Sequence, residues 1–121
     1  MDDREVDIIR NRYVEALLVG DQNMAQQVVM DARNRGLGIH RIYVDIIASS
    51  QAQIGEMWHE GTITISVEHL GTVISLGVMD ELSRDAKKRI SNGFKAVVAL
   101  IEGDTHFIGA RMLSDFLMMD G

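Results

Sequence analysis

Apolar residues recur at helical spacing through most of this chain. Val6, Ile9, Tyr13, Ala16 and Leu17, with Ile8 beside them, predict an amphipathic helix over 3–19 that ends at Gly20. Asp21 suits a helix N-cap, and Met24, Val28, Val29 and Ala32 carry a second helix over about 21–35, as far as Gly36-Leu37-Gly38. The break between the two is short, which predicts an antiparallel pair. A third helix runs from Ile39 or His40 to Trp58. Its Ile42, Val44, Ile46, Ile47, Ile54 and Met57 are apolar on more than one side, as expected of a central helix. Ala48, Ser49, Ser50 and Ala52 in its middle permit close packing. Glu60-Gly61-Thr62 ends it, and Thr64 or Ser66 caps a fourth helix reaching about Arg89. The expected inward stripe there is Val67, Leu70, Val73, Ile74, Val78 and Leu82. Gly71 and Gly77 are thin spots where a neighbour approaches.

After the turn Ser91-Asn92-Gly93 the pattern changes. The continuous apolar run within 95–101 reads as a buried-type strand, followed by a loop and a last helix to Met119. The fold class expected is mainly α: a four-helix bundle over 1–92, then one β-α unit over 93–121 that opens a flavodoxin-like α/β domain. A lone strand leaves both edges unpaired. The expectation is therefore a truncated α/β domain or a strand paired with another chain.

Composition narrows the chemistry. The 121 residues suit one domain, or a small domain with a fragment of another, and 46% hydrophobic residues supply a core. A net charge of −6 argues against a nucleic-acid partner, and the short basic run Lys87-Lys88-Arg89 fits a helix C-terminus better than a phosphate site. With no cysteine, disulfides, thiolate metal sites and cysteine nucleophiles are excluded. The absence of proline fits uninterrupted helices. No stretch approaches the ~20 apolar residues of a membrane span, and no signal-peptide pattern opens the chain. The expected compartment is the cytoplasm, with no membrane partner.

Functional side chains concentrate in two places. Trp58-His59 closes the third helix, and Glu68-His69 lies in the first turns of the fourth, with nine residues between Trp58 and Glu68. A short connection places both pairs at one end of the bundle. Asp104-Thr105-His106-Phe107-Ile108-Gly109 follows the apolar run, outside the carboxyl end of the predicted strand, where α/β proteins hold ligands. Each piece has a plain alternative. Trp58 could be core filler, His59 a solvated residue matched to the helix dipole, Glu68 a first-turn acid, and Asp104 an N-cap for the last helix. His40 has no partner in the pattern and reads as a surface residue. The eight methionines read as adaptable packing.

Trp58, nine residues, then Glu68-His69 resembles the Trp-x9-Glu-His signature of light-sensing, adenosylcobalamin-binding repressors. Asp104-x-His106-x-x-Gly109 resembles the Asp-x-His-x-x-Gly motif of cobalamin-binding domains, shared with methionine synthase and corrinoid methyltransferase proteins. The likeness runs from about Asp21 to the end of the chain. It implies that His106 is the lower axial cobalt ligand, Asp104 its hydrogen-bonding partner, and Gly109 the point where a helix approaches the cofactor tail. It further implies Trp58 against the upper-face adenosyl group, with Glu68 and His69 beside it and His59 as an upper cobalt ligand after photolysis. The Ser-x-Leu and Gly-Gly motifs of the family's tail pocket do not occur here.

The resemblance implies a cobalamin-binding sensory or regulatory module, with adenosylcobalamin or methylcobalamin as cofactor. A homo-oligomer or a signalling protein is the expected partner. No catalytic nucleophile or acid–base pair stands out, so the chain by itself is not expected to be an enzyme. The alternatives are the corrinoid protein of a methyltransferase system, and a cofactor-free helical interaction or oligomerisation domain.

Overall fold

The computed structural model describes residues 1–101 and 107–121. Five helices form among them. α1 spans Asp3–Val19 and opens on a reciprocal cap: the Asp2 carboxylate accepts from the Glu5 N–H, and the Glu5 carboxylate accepts from the Asp2 N–H, both at 2.9 Å. Gly20 ends the helix in the left-handed region at φ 68°, where its lack of a Cβ removes the strain. Asp21 then accepts from the Met24 N–H at 2.9 Å and starts α2, Gln22–Asn34. Two residues thus reverse the chain. Gly36, at φ 99°, ends α2 in the same way.

α3 covers residues 39–59 in three continuous segments: Ile39–Arg41, a π-helical Ile42–Ala48, and Ser49–His59. The wider π turn keeps residues four apart nearly in line. Ile42, Ile46, Ser50 and Ile54 form one such buried row, with Tyr43 and Ile47 next to it. The strongly apolar stretch is accommodated by this change of turn. Val44, expected inside, faces out and is 53% exposed.

α4 runs Ile65–Asp85 from the Thr64 cap, whose hydroxyl accepts from the Val67 N–H. Its inward face is Gly71, Ile74, Ser75, Val78, Met79 and Leu82. Ile74, Val78 and Leu82 of the expected stripe are buried, and Val67 is half-buried, but the remainder of the stripe is not inward. Leu70 and Val73 are exposed, and Gly71 and Ser75 take the inner positions, because the neighbouring Tyr13 and Gln51 side chains fill that space. Ile8 of α1 is exposed as well.

α4 stops at Asp85 rather than Arg89, so Lys87-Lys88-Arg89 lies beyond the helix and does not offset its dipole. Arg89 pairs with Asp120 at 3.2 Å, and its N–H donates to the Met119 carbonyl at 2.9 Å. Residues 95–101 form no strand, and no strand occurs among the described residues. The reason is that an extended segment needs a second edge for its N–H and C=O groups, and the described residues offer none.

α5, Phe107–Met119, lies directly on the bundle, and its Ile108, Met112 and Met119 join the same hydrophobic core as α1–α4. A polar clamp holds it. The buried Asp115 accepts from Tyr43 Oη at 2.5 Å and from Arg111 Nε at 2.9 Å, while Arg111 also pairs with Asp80 of α4 at 2.6 Å. Burial, reinforced by the Asp115 carboxylate, raises the Tyr43 phenol above its ordinary range. The expected β-α unit is thus represented by a helix docked on the bundle.

Candidate functional site

The turn after α3 sets the site. Gly61 N–H donates to the Trp58 carbonyl at 2.9 Å, and both the amide and hydroxyl of Thr62 bond the Met57 carbonyl at 2.9 and 2.8 Å. Those bonds close the end of α3 and send the chain back at once. The first turns of α4 therefore rise beside the last turn of α3. The two ends, with the start of α5, enclose an open cleft of about 770 Å³.

Trp58, His59 and Glu68 all line this cleft, and Gly109 lines it from α5. Residues from both sequence motifs meet there. Trp58 is 43% exposed, so it is not core filler. His69 does not line the cleft: successive helical residues point about 100° apart, and it lies to one side of Glu68. It reaches the site through that neighbour, its Nδ1 standing 2.5 Å from Glu68 Oε2. Asp104 and His106 lie outside the described residues.

The cleft also holds residues that no motif marked. Ala48, Ala52 and Gly55 form a small-residue strip along α3, leaving room for a ligand against the helix. Ala48 and Ala52 were expected to permit helix packing; Ala48 does pack partly against the core, whereas Ala52 is exposed in the cleft wall. Phe107, Ile108 and Met112 supply an apolar wall from α5. Glu56 and Glu60 add carboxylates near the mouth. Their helical spacing with Trp58 and His59 was legible, but their common direction was not.

Gln51 and Thr72 provide the neutral polar part of the lining. Gln51 Nε2 donates to Thr72 Oγ1 at 3.1 Å, and Gln51 Oε1 accepts from Ser75 Oγ at 3.4 Å. Ser75 in turn meets the fully buried Tyr13 hydroxyl at 2.9 Å. Burial raises the Tyr13 phenol above its ordinary range, so it stays protonated and able to donate. His40, expected at the surface, is exposed but stacks on Phe116 with ring centroids 4.4 Å apart.

Among the described residues, no group of three or more His, Cys, Asp or Glu side chains is gathered to hold a free metal ion, and no helix is long and apolar enough to cross a membrane. The cleft has aromatic, small and polar walls. Residues 9–83, more than half of the chain, match the family described as the B12 binding domain, and the chain belongs to that family. The matched span takes in most of α1 and nearly all of α4, that is, the four-helix bundle. No curated protein sequence matches the chain.

Proposed function

We propose that this chain binds cobalamin in the cleft between α3, α4 and α5, as the helical cap of a sensory or regulatory module. The observation that carries this reading is the meeting of Trp58, His59 and Glu68 with Gly109 around one cleft. The lining fits the group. A corrin brings its own cobalt and four equatorial nitrogens, so the protein needs single axial ligands rather than a metal-binding cluster. The strip Ala48, Ala52 and Gly55 admits a broad flat ring, and Trp58 offers an aromatic face.

In this reading Trp58 packs on the upper-face group, Glu68 holds His69 by their hydrogen bond, and His59 stands ready as an upper ligand. His106 would hold the cobalt as lower ligand, Asp104 would be its hydrogen-bonding partner, and Gly109 would let α5 approach the tail. Adenosylcobalamin, when bound, would supply a light-sensitive cobalt–carbon bond. The division into a cap over 1–92 and a cofactor-domain segment over 93–121 belongs to the same proposal. So do the cytoplasmic setting and a second copy or signalling protein as partner. Trp58 inside the cleft disfavours the methyl-transfer alternative, which needs an open upper face.

Titration of adenosylcobalamin into the purified chain, followed by absorbance in the dark and after green light, tests the proposal. The expected result is a binding-dependent spectral shift that changes on illumination. Unchanged spectra on His106→Ala would remove the lower-ligand assignment, and no shift at all would remove cobalamin binding.

A further inference from the structure

Lys87-Lys88-Arg89 is the chain's only run of consecutive Lys and Arg residues, and it lies beyond the end of α4, where it offsets no helix dipole. The fold gives part of it another setting. Lys87 and Arg89 line an open pocket of about 630 Å³ together with Arg33 of α2, His40 of α3 and the end of α5. This pocket and the cleft share no lining residue. α3, α4 and α5 each give one end to the cleft and the other end to the pocket, which places the two at opposite ends of the bundle.

Arg33 marks the pocket as a site. Its Nη2 donates to the Asp85 carbonyl at 3.0 Å, which holds the guanidinium in place. Its Nη1 is buried and has no hydrogen-bond partner among the described residues. Buried N–H groups are almost always paired, so this cationic donor calls for an acceptor that the protein does not supply. The Asp120 carboxylate of the same lining is engaged by Arg89 at 3.2 Å. The lining holds three fixed positive charges, Arg33, Lys87 and Arg89, against the two carboxylates Asp85 and Asp120, in a chain whose net charge is −6. The pocket is thus positive where the molecule as a whole is negative. His40 stacks on Phe116, and Ile39 and Met119 complete an apolar side.

We propose that this pocket binds a phosphate group, with Arg33 as its anchor and Lys87 and Arg89 as flanking cations. Guanidinium N–H groups match phosphate oxygens in a planar fork, and the Lys ammonium adds a point charge. The apolar side of Ile39, Phe116 and Met119 gives room for the organic part of a phosphate ester. The site goes beyond the cobalamin reading and uses none of its residues.

Calorimetric titration of the purified chain with inorganic phosphate and with phenyl phosphate, in the absence of cobalamin, provides the test. Saturable binding is expected, weakened about tenfold by Arg33→Gln and less by Lys87→Gln. Lys87 is exposed and outside any helix, so its substitution leaves the fold intact, and helical circular dichroism checks Arg33→Gln. Where Arg33→Gln does not fold, Lys87→Gln decides alone. Amide NMR shifts on adding phosphate should fall at His40, Lys87 and Phe116 and spare Trp58. Tighter binding of phenyl phosphate assigns an ester and equal affinity assigns the free ion; both support a phosphate site. No saturable binding, full affinity in the folded variants, or shifts confined to the cleft would each overturn the proposal.

Discussion

Both tyrosines of the chain are buried hydroxyl donors, and each ties two helices together through a polar group. Tyr13 of α1 meets Ser75 of α4, and Tyr43 of α3 meets Asp115 of α5. Burial raises both phenols, with Asp115 adding to the effect at Tyr43. As pH climbs past the ordinary value of 10.0, the unfolded chain releases these protons while the folded chain keeps them. Their contribution to stability is thus complete below pH 10 and declines above it. Alkaline titration should therefore show phenolate absorbance rising only together with loss of helical circular dichroism. Early phenolate signal from a fully helical chain would contradict the burial of both side chains. Trp58 belongs to the same scale: its neighbours in sequence hinted at a site, but its exposure in the cleft distinguishes it from core filler.

Among elements, α4 shows where periodicity runs short. Ile65, Val67, Leu70, Val73, Ile74, Val78 and Leu82 put apolar groups on nearly every side of it. Hydrophobic spacing placed Ile74, Val78 and Leu82 inward but could not tell that Leu70 and Val73 turn outward. Packing chose the face carrying Gly71 and Ser75, where Gln51 and Tyr13 fit, and left Val73 outside. Leu70, partly exposed, covers the turn at Gly20: a Cβ there would come within 2.8 Å of its Cδ2. The π segment of α3 is similar, since nothing in the residue types announced a change of turn. α5 owes its place to the clamp as well as to its apolar face. Asp115→Ala leaves Arg111 and Tyr43 without their shared acceptor, at an expected cost of about 2–3 kcal/mol. Hydrogen exchange should show α5 losing protection while α1 and α2 keep theirs. Equal loss along all helices would mean that α5 is integral to the bundle's cooperative unit.

For the whole molecule, the cleft exists only because α3, α4 and α5 are assembled. A ligand that binds there therefore favours the folded state by mass action. Adenosylcobalamin at a hundredfold excess over its Kd should add about 2.7 kcal/mol, raising Tm by about 10 °C for a chain of this size. A thermal melt with and without cofactor measures this, and an unchanged midpoint would contradict binding at a site formed by folding. The helical bundle, its caps at Asp2, Asp21 and Thr64, and its breaks at Gly20 and Gly36 follow from local chemistry. So does the placing of Trp58, His59 and Glu68 at one end, because a five-residue connection leaves no other option. The predicted strand did not form, since strand structure depends on a second edge that a single apolar run cannot provide. Sequence alone determined the helices and the cluster of chemistry-bearing residues, because capping and short turns act over a few residues. Tertiary structure decided which face of α4 is buried, where α5 docks, and that Gln51 is tied to Thr72 and Ser75 across the bundle. Those depend on contacts between residues far apart in the chain.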